Sequence, residues 1–148
     1  MTDTQKVANQ VYRFETSLER MPGPTVAYLI DERQGALIEP GPAAAVPFIQ
    51  RAMAQLGMTS LSYIIPTHIH VDHGGGAGTL AGLIPKAKVL VHRRGANHLA
   101  SPERLIESTK MAYGQDFEQA LGPITPIPES RLKVVEDGEV VSLGNREP

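Results

Sequence analysis

The sequence predicts an α/β fold, a mixed β-sheet flanked by helices, in one domain spanning residues 1–148. Three observations carry this. Residues up to Gly41 read as short strands joined by tight turns, with no helical period. From Val46 the apolar period becomes that of a helix, and two apolar, β-branched runs then alternate with helical segments. Consecutive hairpins pair antiparallel and strand–helix–strand units pair parallel, so one sheet holding both is mixed.

Taken in order, "VYRFETSL" (11–18) alternates as a half-buried strand, and the turn residues Met21, Pro22, Gly23 and Pro24 separate it from a second strand, "TVAYLI" (25–30). A hairpin turn over 31–35 leads into "ALIEPG" (36–41). Val46, Ile49, Met53 and Leu56 recur at helical spacing, Pro47 is accepted in a first turn, and Gly57 supplies the stop. "LSYIIPT" (61–67) predicts a buried strand, glycine-rich 74–82 a short helix, and "AKVLVH" (87–92) a further strand, parallel to the former through a right-handed crossover. Ser101 as N-cap, Pro102 and Glu103 announce a long helix with Ile106, Tyr113, Phe117 and Leu121 on one face. "GPITPIPES" (122–130) reads as a surface loop, and "RLKVVEDGEVVSLGN" (131–145) as a hairpin turned at Asp137-Gly138.

Composition excludes several classes of function. Fourteen basic and sixteen acidic residues give a net charge of −2 without long runs of one sign, so no footprint for nucleic acid or an acidic membrane is expected. There is no cysteine, which rules out disulfides, thiolate metal sites, iron–sulfur clusters and a thiol nucleophile within this sequence. Any metal must use nitrogen and oxygen donors. The start, "MTDTQKVANQ", lacks the apolar core of a signal peptide, and a soluble, cytoplasmic protein is the expectation.

Chemistry concentrates in "THIHVDHGG" (67–75), which holds three of the five histidines. On an extended backbone, His68 and His70 share a face and can converge on one cation. Asp72 and His73 follow where the chain leaves the sheet, placed for a second cation close by. A pair of divalent ions lowers the pKa of a bridging water to about 7 and polarises the bond under attack. Asp72 can both ligate and hold that water's proton. Three adjacent imidazoles have little structural use unless something coordinates them.

The run "THIHVDH" with Gly74 and Gly75 resembles the signature of the metallo-β-lactamase superfamily, and within it the sequence looks most like the glyoxalase-II-like hydrolases. The opening meander, "LIEPG", the helix and the strand into the motif come in that family's order. The resemblance implies one half of an αββα sandwich and metal-dependent hydrolysis of an ester or thioester by a metal-bound hydroxide. His68 and His70 match ligands of a first metal, Asp72 and His73 ligands of a second, with up to two zinc ions and with iron or manganese as possible substitutes. It also implies downstream ligands, including a third histidine in a Thr-Pro-Gly-His-like turn, and no histidine follows His98. Two other outcomes belong beside the hydrolase: a catalytically incomplete fragment that binds metal weakly and self-associates, and an iron dioxygenase of the same superfamily.

The expected partners are a small-molecule substrate and further copies of the chain, since half a sandwich exposes an apolar sheet face. For His92, at the tip of its strand, metal ligation, substrate contact and strand-end packing are all open, whereas His98 reads as structural. Arg93 and Arg94 read as a solvated turn that can also contact an anionic substrate. Gly76-Ala77-Gly78-Thr79-Leu80-Ala81 fits a dinucleotide fingerprint, but no acidic residue for a ribose ends the next strand.

Overall fold

The computed structural model describes residues 3–16, 18 and 25–144. Seven strands form one sheet in strictly sequential order. Strands β1 (Gln5–Ala8), β2 (Val11–Thr16), β3 (Thr25–Ile30) and β4 (Ala36–Ile38) make the antiparallel meander. From β4 onward the pairing is parallel, through β5 (Tyr63–Ile65), β6 (Lys88–His92) and β7 (Leu132–Val135). The mixed sheet expected from the sequence is therefore present, with β4 as the strand where its direction switches. The turn expected at Met21 to Pro24 lies outside the described residues.

Six helices connect the parallel strands. Helix α1 (Val46–Leu56) joins β4 to β5, α2 (Val71–Gly74) and α3 (Ala77–Leu83) join β5 to β6, and α4 (Arg93–Ala100), α5 (Glu103–Tyr113) and α6 (Phe117–Leu121) join β6 to β7. None of them is long and apolar enough to cross a membrane. Helix α1 follows its sequence pattern closely: Val46, Ile49, Ala52 and Met53 are buried, and Gly57 ends it in the left-handed region. The Gly57 N–H then donates to Ala54 and the Met58 N–H to Met53, which satisfies the last carbonyls.

The two sheet faces differ. Leu29, Leu37, Ile64 and Val89 are cross-strand neighbours, fully buried under the helices as the centre of the core. On the opposite face, Tyr28, Ile38 and Ile65 form one row and Ile30, Ala36 and Tyr63 another. Five of these six remain partly or largely exposed, Tyr28 at 36%. An apolar face left half open is the feature that the self-association expected from the sequence rests on.

Several sequence expectations are corrected. The long helix is two, because Gly114 (φ 105°, ψ 164°) stops α5, so Phe117 and Leu121 are buried from α6 while Tyr113 stays exposed. Ser101 does not cap α5; its N–H closes the end of α4, a helix not foreseen, and Pro102 takes the N-cap position. Residues 122–128 form a loop, but Ile124 and Ile127 turn into the core. After the Asp137-Gly138 turn the described chain forms no second strand. Instead it crosses to the β3–β4 turn, where the Leu143 carbonyl accepts from the Gln34 N–H.

Two close glycine contacts and one arginine anchor the crossovers. Gly78 in α3 lies so close to the loop at Thr125 that a Cβ would stand 2.0 Å from the Thr125 carbonyl oxygen, and at Gly76 it would stand 2.7 Å from the Pro42 carbonyl carbon. These glycines serve packing, which accounts for the fingerprint-like spacing. Gly78→Ala is expected to destabilise the fold by roughly 1–3 kcal/mol or more, read as a lower urea midpoint at unchanged slope. The Arg131 guanidinium donates to the carbonyls of Ala81, Ile84 and Ala87 at 2.6 to 2.9 Å, gathering the end of α3 and the start of β6 onto the approach to β7. Arg131→Gln leaves carbonyls short of a donor and is expected to cost about 1.5–3 kcal/mol, visible as a fall in Tm.

Candidate metal centre

Parallel pairing brings the C-terminal ends of β4, β5 and β6 to one edge of the sheet, and the candidate residues collect there. Strand β5 ends at Ile65, so His68 and His70 lie in a loop, not on the extended strand the sequence suggested. Pro66 is buried at the exit and, lacking an N–H, cannot prolong the ladder. His70 is the N-cap of α2, with Asp72 and His73 on that single turn. The His70 carbonyl accepts from the His73 and Gly74 N–H groups, tying the turn together.

The four residues do come together. The ring of His68 lies 5.0 Å from that of His70, edge to face, and 4.1 Å from that of His73, centroid to centroid. His73 Nε2 is 3.3 Å from Asp72 Oδ2. Two ligands at about 2.0–2.2 Å from a tetrahedral zinc stand roughly 3.3–3.6 Å apart, so this pair has the bite of two adjacent ligands. Among the described residues, however, no three histidine, aspartate or glutamate groups converge as a ready metal cage.

The residue that organises the loop is Glu39, which the sequence reading noted only as part of "LIEPG". One carboxylate oxygen accepts from the Thr67 N–H at 2.7 Å, and the other is paired with Nδ1 of His73. In the neutral ring, an Nδ1–H donated to Glu39 leaves Nε2 of His73 with a lone pair on the Asp72 side, the tautomer that a metal-binding imidazole needs, whereas in the cationic ring both nitrogens are protonated and face the two carboxylates. Burial pushes the Glu39 carboxyl up, but the hydrogen bonds from His73 and Thr67 and the charge of His73 outweigh it and hold it below the usual carboxylate value. Glu39 sits at φ 65°, uncommon for a residue with a side chain. Its own N–H donates to Ile65, and two residues on Gly41 binds the His73 carbonyl. The backbone after β4 is thus threaded to the histidine loop on both sides.

A cleft of about 310 Å³ adjoins Asp72 and His70, walled by Ser108, Thr109, Ala112 and Tyr113 of α5. Tyr113, which the sequence set on one helix face with Phe117 and Leu121, faces this cleft instead, and burial together with the charge of Asp72 raises its phenol pKa. His92 is a helix cap: its Nδ1 accepts from the Arg94 N–H at 3.2 Å.

Comparison with known proteins decides the lineage. The model of the metallo-beta-lactamase superfamily matches residues 20–147. The chain belongs to the metallo-beta-lactamase superfamily. Among solved structures it is similar to MEM-A1, a subclass B3 metallo-beta-lactamase from a soil metagenome library, with 30% identity over 92% of this chain and 47% of that one at a TM-score of 0.68. It is also similar to a B3 metallo-beta-lactamase with an active-site glutamic acid, with 27% identity over 96% of this chain and 48% of that one at a TM-score of 0.72. The superfamily protein ST1585 of Sulfolobus tokodaii shares the fold, with 24% identity over 91% of this chain and 52% of that one at a TM-score of 0.71. A curated relative, the uncharacterized protein YobT of Bacillus subtilis (strain 168), is 38% identical over 72 residues, 48% of this chain and 30% of YobT. The chain therefore spans about half the length of these solved structures and less than a third of YobT. Members of the superfamily generally bind divalent metals such as zinc.

Proposed function

We propose that this chain is the metal-holding half of a hydrolase that cleaves an ester or thioester bond of a small molecule, as in the glyoxalase-II-like branch. The observation that carries this is the meeting of His73 Nε2 with Asp72 Oδ2 while Glu39 occupies the other nitrogen of the same ring. The donor set, three imidazoles and a carboxylate, fits zinc, iron or manganese. His68 and His70 would hold one ion, Asp72 and His73 a second. Such ions supply Lewis acidity and bring the pKa of a bound water towards neutrality. Glu39 sets the tautomer and tilt of His73, Thr67 Oγ1 orients His68 through Nδ1 at 3.0 Å, and the Asp72 carboxylate would accept a hydrogen bond from the attacking water once metal is bound.

The test is metal analysis of the dialysed chain together with hydrolysis of 4-nitrophenyl acetate. Retained metal, turnover abolished by chelation and turnover restored by zinc, iron or manganese support the reading; a chain that holds none of the three sinks it.

A second reading is favoured by the absence of a three-donor cage among the described residues. Here the chain binds metal weakly, self-associates and does not turn over. Both readings place another copy of the chain on the half-open face around Tyr28, Ile38 and Ile65. Gel filtration is therefore expected to give a mass above the 16.0 kDa of one chain, and a stable monomer would refute the association.

A further inference from the structure

On the other flank of the histidine loop, between it and α4, lies a cavity of about 430 Å³, within the range of small-molecule sites. Its polar lining includes His68, His92, Arg94 and His98, and none of its lining residues is acidic. Ile69 and Val91 give it an apolar wall. Gly95 allows α4 to close against that wall: a Cβ there would stand 2.6 Å from Ile69 Cγ2 and 2.9 Å from Val91 Cγ2.

Two neighbouring arginines differ in company. Arg93 is paired with Glu136, just past the end of β7. The Arg94 guanidinium has no ion pair or side-chain hydrogen bond among the described residues. An exposed arginine alone would count as a solvated side chain, but this one borders a cavity with three imidazoles and no carboxylate to neutralise it. Because His92 Nδ1 accepts from the Arg94 N–H, neutral His92 carries its proton on Nε2 and is a donor there. A cavity with one cation, imidazole donors and an apolar wall is complementary to an organic carboxylate.

We propose that this cavity binds the carboxylate end of the substrate, with Arg94 as its charged partner, His92 and His98 as further donors, and the apolar stem against Ile69 and Val91. His68 lines the same cavity, so a ligand seated there has its far end beside the candidate metal ligands. The substrate class narrows to carboxylate-bearing esters and thioesters. This assignment rests on the hydrolase reading, yet the cavity can be tested without the metal.

The experiment is a titration of the full chain with benzoate after chelation, followed through the imidazole resonances of His92 and His98, with benzyl alcohol as the neutral probe. Saturable shifts with benzoate are expected, about tenfold or more weaker with benzyl alcohol and weakened by the same order in Arg94→Gln, the scale of one charge-assisted hydrogen bond. Arg93→Gln is expected to bind benzoate as the unaltered chain does. No saturable benzoate shift, equal binding of the neutral probe, or equal loss in Arg93→Gln and Arg94→Gln would each overturn the assignment. Parallel metal analysis separates the two readings. Metal held without benzoate binding removes the carboxylate pocket alone, and benzoate bound by a chain that holds none of zinc, iron and manganese removes the hydrolase and the substrate role resting on it.

Discussion

A chain carrying His68→Ala and His70→Ala together is expected to lose zinc while staying folded. Both side chains are exposed, and neither contributes to the core. Surface substitutions of this kind shift stability by about 0.5 kcal/mol or less, so the urea midpoint of the metal-free variant should match that of the metal-free parent. Zinc affinity should fall by more than the roughly 10- to 100-fold that loss of an outer partner causes, because here the donors themselves are removed. Zinc competition against a chromogenic chelator reads the change directly. Unchanged zinc content in the double variant would show that the motif histidines are not the donors and would refute the assignment of His68 and His70.

Glu39→Gln is expected to damage both metal binding and folding. Glutamine keeps one acceptor oxygen where glutamate offers two, so either the Thr67 N–H or His73 Nδ1 loses its partner. Zinc affinity should fall by roughly 10- to 100-fold as His73 loses the group that sets its tautomer. Stability of the metal-free chain should fall by about 1–3 kcal/mol, the cost of an unsatisfied, partly buried group. Glu39→Gly separates the backbone from the carboxylate: glycine takes the left-handed conformation freely, so some strain is relieved, but the zinc defect should persist. If Glu39→Gln lowered stability and left zinc affinity untouched, Glu39 would be a loop brace alone.

Much of the fold was legible because local patterns and tertiary needs agree. Strand β3 and helix α1 occupy the residues their periods mark, and Gly57 stops α1 by the mechanism its identity suggests. Elements were missed where the pattern was absent or ambiguous. Strand β1 is exposed along its whole length, so it carries no alternation of apolar and polar residues. Tyr113 and Phe117 are spaced for one helix face, but Gly114 between them breaks the helix, and the glycine was the better signal. Val140 and Val141 look like a strand, yet the chain there follows Leu143 to the β3–β4 turn. At the candidate site, spacing and the family resemblance single out the histidines and Asp72. Glu39 could not be given its role, because its partner His73 is 34 positions away and they meet only when β4 and β5 pair in parallel.

The strictly sequential strand order has a consequence for how the chain is made. Each strand after β1 pairs with the one synthesised just before it, so no strand depends on a later segment for its first pairing edge. Glu39, at the end of β4, is delivered before the histidine loop exists and waits for it. The candidate metal ligands therefore follow, in the order of synthesis, the carboxylate that braces their loop.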